Sequence, residues 1–323
     1  MTITLDNPAA GTLVGSFKAV TGVGGKYTFT GTPAAVSAAI DAEMFKTSAN
    51  EVRPGATVTT HFTVGVSDGF VSSPVTNSAT TVAVTSKNDL PTIAGAKAGQ
   101  KVNDNATILP FTAVTIGDVD PGQTYTVTVT VPTANGTFTP ASLIAAGFDG
   151  GVASGANTVY TLTGSASTVA ATAAIRQLVF KPTAHQVTAK STVSTTFAIG
   201  VNDGFATVTH NVTTVITTAI NDAPTGLNAT IASGLKATVA VGAAVLTLSA
   251  VDPDFGDTFV YSLATGTGGA DNAKFKIVGN TLTAAGSLTA RAYQVNLKVT
   301  DKGGLGFARA FTITIGASSS SVM

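Results

Sequence analysis

The sequence predicts an all-β protein built from tandem antiparallel β-sandwich domains, with one short helix in each of the first two repeats. Two features lead to this prediction: runs of residues with a period of two, and a long internal repeat. The runs alternate β-branched with other side chains between Gly, Pro and Asn turns, which is typical of short antiparallel strands. The clearest runs are Tyr125–Val131, Thr195–Val201, Thr207–Thr218, Tyr293–Thr300 and Phe311–Ile315.

The internal repeat places Tyr27–Pro91 over Tyr160–Pro224. Both copies contain a YTxTG strand, an alanine-rich stretch, an FK pair, a DGF turn and an NDxP linker. The offset changes from 133 to 135 residues and back, as shown by the pairs Tyr27/Tyr160, Phe62/Phe197 and Asp89/Asp222. The two adjustments fall near Glu43–Phe45 and in Ser72–Val75, and a duplicated β-domain tolerates such insertions in its loops.

Two segments depart from the strand pattern. Ala34–Phe45 and Ala166–Leu178 are rich in alanine and carry apolar residues three and four positions apart. This spacing predicts one short amphipathic helix inside each of the first two repeats.

The domain boundaries are predicted at the two Asn-Asp-x-Pro segments, because proline cannot donate to a strand ladder and favours an extended linker. The predicted units are 1–88, a truncated repeat; 89–221, a full-length repeat; 222–316, a terminal domain; and 317–323, a disordered tail. The first unit has no counterpart to the opening strands of the second, so a sheet edge is expected to be unpaired. Either the chain is cut from a longer array, or a neighbouring molecule supplies the missing strand.

Composition limits the function. The 323 residues contain no cysteine, and 17 basic residues balance 17 acidic ones. A disulfide scaffold is excluded, and nothing favours nucleic acid or an anionic membrane as a partner. The longest uncharged run, Ala237–Val251, is too short to span a bilayer, so direct membrane insertion is not expected. Charged residues make up only 11% of the chain, about half the usual share, which is typical of bacterial surface and matrix proteins.

The acidic residues recur at three kinds of position. One is the linker, a second is an Asp-x-Asp turn, and a third is a turn between the last two strands of a domain. Each is an ordinary turn former on its own. Together they provide the hard oxygen ligands that Ca²⁺ requires from several loops. The linker and Asp-x-Asp positions are Asp89, Asp222, Asp118, Asp120, Asp252 and Asp254, and the last-turn positions are Asp68, Asp203 and Asp301.

In this combination the chain resembles the cadherin-like repeats of large bacterial surface adhesins. The segments NDAPT, LSAVDPDFGDTFVYSL, DNAKFKIVGNTL, YQVNLKVTDKGGL and FTITI follow the order of that family through the third domain. The first two domains, with GTF or GTL, YTLTG, the short helix and VNDGF, are similar to longer repeats of the same adhesins. The resemblance covers almost the whole chain and implies Ig-like (cadherin-like) antiparallel β-sandwich domains.

The resemblance also implies that calcium binds between successive domains. Carried over residue by residue, the first junction would use Asn88, Asp89, Asp118, Asp120 and Asp203. The second would use Asn221, Asp222, Asp252, Asp254 and Asp301, with Asp104 as the acid from the base of the preceding domain. The third domain lacks the family's acid in Lys236–Gly242 and looks like a terminal unit, while the first lacks its base acid together with its opening strands.

Catalytic motifs are absent from the sequence, so an enzyme is not expected. His61, His185 and His210 stand in unlike contexts and are interpreted as ordinary surface or strand residues. The predicted function is an extracellular structural or adhesin module at a bacterial cell surface, stiffened by Ca²⁺. Its partners would be neighbouring domains or protomers, or a cell-surface ligand. The alternative is a self-assembling subunit of a surface layer, sheath or filament, and a carbohydrate- or receptor-binding module is a third possibility.

Overall fold

The computed structural model describes residues 1–70, 73–316 and 320–323. The described residues form three hydrophobic cores in series, one for each β-domain. The predicted domain boundaries remain a prediction. The elements of the first domain are β1 (Thr2–Leu5), β2 (Gly11–Val14), β3 (Lys18–Ala19), β4 (Lys26–Thr28), α1 (Pro33–Asp41), β5 (Met44–Thr47), β6 (Thr57–Val66) and β7 (Val75–Thr85).

The second domain has the largest number of elements. They are β8 (Thr92–Ala94), β9 (Gln100–Asn103), β10 (Thr115–Gly117), β11 (Tyr125–Pro132), a 3₁₀ turn (Thr133–Asn135), β12 (Gly136–Phe138), α2 (Pro140–Ala146), β13 (Val152–Ser154), β14 (Asn157–Ser165), α3 (Thr168–Arg176), β15 (Phe180–Pro182), β16 (Thr192–Thr196), β17 (Ala198–Asn202), β18 (Thr207–His210) and β19 (Thr214–Thr218).

The third domain is a sandwich of two four-stranded sheets, ordered β20-β21-β24-β23 and β22-β25-β26-β27. Its elements are β20 (Gly226–Ile231), β21 (Ala244–Val251), β22 (Phe259–Leu263), a 3₁₀ turn (Asn272–Lys274), β23 (Phe275–Val278), β24 (Thr281–Ala284), β25 (Arg291–Asp301), β26 (Gly306–Ile315) and β27 (Ser321–Val322). Their alternating inward residues, such as Val295, Leu297 and Val299, are fully buried. The predicted fold class, tandem antiparallel β-sandwich domains, is confirmed.

The second domain packs a five-stranded sheet, β13-β14-β11-β17-β18, against a three-stranded sheet, β16-β19-β9. Phenylalanine rings fill the space between them. Phe197 makes edge-to-face contacts with Phe111 and Phe180, with ring centroids 5.3 and 5.0 Å apart. This geometry is favoured by the ring quadrupoles and adds to the stabilisation from burial.

Two predicted strands are each divided in the structure. Thr195–Val201 becomes the end of β16 and most of β17, and Thr207–Thr218 becomes β18 and β19. The chain changes sheets at Phe197, whose backbone N–H donates to Thr213 O at 3.0 Å. An unbroken alternation of residues does not reveal such a crossing, because both halves keep an inward and an outward face.

The predicted helices are confirmed as α1 and α3, and α2 is an additional helix in the second repeat. Thr139 caps α2, its side chain accepting from Ser142 N–H, and Pro140 occupies the first helical turn. Gly147 ends the helix in the left-handed conformation with φ 74°. These are standard start and stop signals for a helix, and only the short length of the segment hid them.

The first domain has a smaller hydrophobic core than the second, and one edge of its sheet is paired differently. The buried residues of this core are Ile3, Leu5, Phe17, Tyr27, Ala39 and Phe62. In the second domain β9 pairs with β19 in parallel, with Val215 opposite Gln100 and Thr218 opposite Asn103. The equivalent part of β7, near Val82, pairs only with β6 within the part of the chain that the structure describes.

The end of the chain differs in part from the predicted disordered tail. Residues 317–319 lie outside the described ranges. Ser321–Val322 forms β27, which pairs with Ile313 and Thr314 of β26. The backbone groups at the edge of β26 pair with those of β27, and Val322 packs against the core of the third domain. No helix in the described ranges is both long and apolar enough to cross a bilayer.

The central role of Phe197 generates a stability prediction. Phe197→Ala should lower the free energy of unfolding by about 3–5 kcal/mol, because the vacated space is enclosed by two sheets. Urea unfolding followed by far-UV circular dichroism measures this loss. Phe70, which is 93% exposed, is the control, and Phe70→Ala should stay within about 0.5 kcal/mol of the parent. A loss below about 1 kcal/mol for Phe197→Ala would contradict this account of the core.

Candidate metal centres at the two domain junctions

The acidic residues of the first junction come from three segments that meet at the linker between domains 1 and 2. The linker pair Asn88 and Asp89 follows β7, and Asp203 directly follows β17. The Asn88 side-chain amide donates to Asp203 Oδ2 at 3.0 Å. The Asp89 backbone N–H donates to Asp120 Oδ2 at 2.7 Å. The linker is therefore bonded to two loops of the second domain.

The second junction repeats these contacts. Asn221 donates through its side-chain amide to Asp301 Oδ2 at 2.9 Å. The Asp222 backbone N–H donates to Asp254 Oδ2 at 2.8 Å. The structure thus brings together the predicted linker and turn residues at both places, with nearly the same bond lengths.

Each Asp-x-Asp turn leaves one carboxylate oxygen without a partner. Asp118 Oδ1 accepts from the Asp120 backbone N–H at 3.0 Å, and Asp252 Oδ1 accepts from the Asp254 backbone N–H at 2.8 Å. The other oxygens, Asp118 Oδ2 and Asp252 Oδ2, are buried and have no hydrogen-bond partner in the described part of the chain. An unpaired buried carboxylate oxygen is unfavourable unless a cation or a donor reaches it.

The acidic side chains are also crowded and buried. Asp120, Asp203, Asp254 and Asp301 are all less than 9% exposed. Across the described ranges, the only side chain in an ion pair with any of these carboxylates is His185. Several like charges thus share each junction with little compensation, and their repulsion favours a bound cation.

The ionisation of these groups reflects the crowding. Burial, followed by the nearby charges of Asp120 and Asp203, raises the pKa of Asp118. Burial and the charges of Asp254, Asp257 and Asp301 raise the pKa of Asp252 in the same way.

The pKa values of two neighbouring groups, Tyr125 and Asp203, are shifted in opposite directions. Burial, together with the charges of Asp118 and Asp203, raises the pKa of the Tyr125 hydroxyl to about 12. Burial alone would raise the pKa of Asp203, but backbone hydrogen bonds from Ala206 and Phe205 and a bond from Asn88 lower it. Asp203 is therefore held in its charged form by the loop that carries it.

Two ligand candidates of the second junction were missed by the sequence prediction. Asp257 joins Asp252 and Asp301 in a group whose carboxylate oxygens lie within 4.8 Å of one another, and His185 forms a second such group with Asp222 and Asp254. The signal for Asp257 is the segment DPDFGD, which aligns with DVDPGQ in the second domain. His185, interpreted from sequence as an ordinary surface residue, instead lies in an acidic cluster.

The first junction has neutral side chains at the matching places. Gln123 replaces Asp257, and its amide donates to Asn88 Oδ1 at 2.7 Å. Asn50 replaces His185 at the 135-residue offset of the repeats, and with its nitrogen facing the carboxylates it donates to Asp89 Oδ2 and Asp120 Oδ1, both at 3.1 Å. The two junctions therefore share their geometry and differ in charge.

Asp104 lies at the base of the second domain, as predicted, and is 3% exposed. Its Oδ2 accepts from the His185 backbone N–H at 3.1 Å and its Oδ1 accepts from the Ile220 backbone N–H at 3.2 Å. The carboxylate thus fixes the loop and the linker that lead into the second junction. Its predicted role as a calcium ligand remains a prediction.

The residues at both junctions fit a hard divalent cation. Carboxylate oxygens converge from three segments, and among the described residues two buried oxygens lack partners and compensating positive charge is scarce. Ca²⁺ takes about six to eight oxygen ligands of this kind. Asn50 and His185 reach from one domain to carboxylates of the next, so a cation held here would couple the two domains.

Comparison with known proteins gives the following matches. No protein-family model and no curated protein matches the chain. Among solved structures, human protocadherin-24 EC1-2 is 18% identical with a TM-score of 0.32, over 73% of this chain and 97% of that one. Protocadherin gamma B2 cadherin domains 1-5 are 12% identical with a TM-score of 0.36, over 97% of this chain and 53% of that one.

A surface layer protein, SbsC domains 4-9, is 18% identical with a TM-score of 0.20, over 79% of this chain and 34% of that one. At TM-scores below 0.5 these matches carry no argument about function. The fold class rests on the sheets of the chain itself.

The opposite pKa shifts of Asp118 and Asp203 generate a paired prediction for the metal-free protein. A raised pKa means that the folded chain holds the proton more tightly than the unfolded chain, so Asp118 lowers stability as the pH rises from about 3.8. Asp118→Asn should remove this loss and raise the urea midpoint at pH 6. Asp203→Asn should lower that midpoint, because the pKa of Asp203 is lowered and its charge stabilises the fold at this pH.

The measurement is urea unfolding of the chelator-treated protein between pH 3.5 and 7. The two variants change neighbouring carboxylates of one junction, so each is the control for the other. Destabilisation of equal size in both variants at pH 6 would show that the carboxylates of this junction do not repel one another.

Proposed function

We propose that the chain is a non-enzymatic extracellular structural module of a bacterial surface adhesin, a series of β-sandwich domains stiffened by Ca²⁺ at their junctions. The observation that carries this proposal is the repeated acidic set, in which Asp118 Oδ2 and Asp252 Oδ2 are buried and have no hydrogen-bond partner among the described residues. A bound cation would compensate the converging charges. The residues themselves hold the linker against both adjoining domains.

The ligands would be the linker residues, the Asp-x-Asp turn, and the aspartate that follows β17 in the second domain or ends β25 in the third. At the second junction these are Asn221, Asp222, Asp252, Asp254 and Asp301, and Asp257 extends the set. At the first they are Asn88, Asp89, Asp118, Asp120 and Asp203. Asp104 supports the second junction from the base of its domain.

Contacts between domains give the stiffening its mechanical basis. The Arg53 guanidinium of the first domain lies 5.8 Å from the ring centre of Phe205 in the second. Gly122, at φ 68°, faces the Arg53 side chain, and Gly256, at φ 69°, faces Thr188 at the equivalent place. With the linker fixed by a cation, these loop contacts would limit bending between the domains.

A second candidate function is a self-assembling subunit of a surface layer, sheath or filament. The observation that favours it is the edge of β7, where Val82 and Val84 are half-buried and no strand equivalent to β9 pairs with them in the described ranges. A strand from a neighbouring protomer could pair with this edge. The partners of the chain would then be protomers of its own assembly rather than a cell-surface ligand.

Calcium stiffening predicts a thermal shift. After exhaustive chelation, 10 mM CaCl₂ should raise the unfolding midpoint, because extracellular modules bind Ca²⁺ at about 10⁻⁴–10⁻³ M. At about 10–100 times the dissociation constant, each site adds roughly 1.4–2.7 kcal/mol. Circular dichroism follows the transition, and X-ray scattering should show a longer, less variable particle with Ca²⁺.

The variant Asp252→Asn/Asp254→Asn should lose the part of the shift that belongs to the third domain. Asp68→Asn is its control, since Asp68 occupies an exposed turn of the first domain. If CaCl₂ leaves both midpoint and particle length unchanged, calcium stiffening is wrong and assembly becomes the better candidate.

Assembly through β7 predicts an effect of charge on one side of the strand. Val84→Lys should reduce the mass of any ordered assembly at neutral pH, because Val84 lies on the same side of β7 as Val82, which packs against the core of the first domain. Ala83→Lys is the matched control, since successive strand residues face opposite sides. Light scattering and electron microscopy measure the mass and the order. A monodisperse monomer for the parent chain would exclude this function.

A further inference from the structure

His185 occupies a loop position with nearly the same backbone φ in both repeats. It has φ 54°, and Asn50, at the equivalent place in the first repeat, has φ 55°. Both side chains reach across a junction to the linker aspartate and to the second aspartate of the Asp-x-Asp turn. The same position therefore carries an amide at the first junction and an imidazole at the second.

The imidazole faces two carboxylate oxygens at short range. His185 Nδ1 lies 3.3 Å from Asp254 Oδ1 and 3.7 Å from Asp222 Oδ2. The Asp254 side chain is only 3% exposed, and its Oδ2 already accepts from the Asp222 backbone N–H. Asp254 Oδ1 therefore has the imidazole nitrogen as its one partner in the described part of the chain.

The 3.3 Å distance equals the edge of a small tetrahedral metal site, and the 3.7 Å distance is slightly longer than such an edge. Zn²⁺ binds imidazole nitrogen at about 2.0–2.1 Å and carboxylate oxygen at about 2.0–2.2 Å, so two ligands of a tetrahedron lie about 3.3–3.5 Å apart. One nitrogen and two oxygens leave a fourth position for water, an arrangement that Zn²⁺ accepts. Calcium, in contrast, prefers a larger set of oxygens alone.

We propose that His185, Asp222 and Asp254 form a Zn²⁺ site at the second junction. It is distinct from the all-oxygen group of Asp252, Asp257 and Asp301, which suits Ca²⁺. The site shares Asp222 and Asp254 with the predicted calcium ligands, but it does not depend on calcium binding. The first junction has Asn50 in place of the imidazole and should lack it.

The competing explanation is a simple ion pair between a protonated His185 and the two carboxylates. That explanation predicts no selectivity for a metal with affinity for nitrogen. It also predicts no gain when an imidazole is placed at the first junction. The two explanations therefore separate in a metal titration.

The experiment uses the full chain stripped of metal with a chelator that is then removed by dialysis. ZnCl₂ is titrated at pH 7.5 by isothermal calorimetry, and CoCl₂ is titrated by visible absorption, which reports the ligand geometry of the bound ion. The parent should bind one equivalent of Zn²⁺ with an affinity that His185→Asn weakens tenfold or more. Co²⁺ should give the stronger visible bands of a four-coordinate ion in the parent and not in this variant.

His61→Asn is the matched control. His61 also pairs with an aspartate, Asp6, at 2.8 Å, but no second carboxylate joins it in the groups of the described residues. This variant should bind Zn²⁺ like the parent. Asn50→His should add a second equivalent, because its amide already lies between Asp89 and Asp120.

Equal Zn²⁺ affinity in the parent and His185→Asn would overturn the proposal, as would Co²⁺ bands that His185→Asn leaves unchanged. Unfolding midpoints measured in chelator show whether each variant is folded. If His185→Asn does not fold, the gain of a second Zn²⁺ equivalent in Asn50→His still tests the proposal. A failure of CaCl₂ to shift the midpoint leaves these Zn²⁺ outcomes unaffected, so the two metal proposals fail separately.

Discussion

The junctions depend on one constraint: the packed sheets hold several carboxylates close together. Strands β10, β17, β21 and β25 end at or directly before the acidic residues, so packed sheets fix where these charges lie. Backbone N–H groups donate to one oxygen of Asp118 and of Asp252, and the other oxygen has no partner in the ranges that the structure describes. The loops cannot relieve the repulsion without moving strands whose inward side chains are fully buried. Compensation must therefore come from a proton or from a cation.

The second domain connects the two junctions through one core. Its β17 ends next to Asp203 at one end, and its β9 and β19 end next to Asp104 and the following linker at the other. The two halves of the sandwich meet at Phe197, where the chain passes from one sheet to the other. Close packing gives such an interior little freedom to deform. The second domain can therefore hold the two junctions at a fixed distance and orientation.

The fold class and most of the acidic junction residues could be predicted from the sequence, because each is encoded in a local pattern of residues. Tyr125–Val131 has an alternation that only a half-buried strand explains, and the Asp-x-Asp turns recur in order. The sequence was insufficient where the deciding fact is spatial. The crossing at Phe197 leaves the alternation intact, and His185 is far in sequence from Asp222 and Asp254, with which it forms a group.

Divergence between the repeats changes the chemistry of the junctions without changing their shape. The paired contacts Asn88–Asp203 and Asn221–Asp301 differ little in length, 3.0 against 2.9 Å. The changes lie in side chains that these contacts do not use: Gln123 corresponds to Asp257, and Asn50 to His185. Each replaces a neutral amide with an ionisable group beside the same carboxylates. Because the hydrogen bonds of the linker are shared, differences in cation preference between the two junctions must come from side chains such as these.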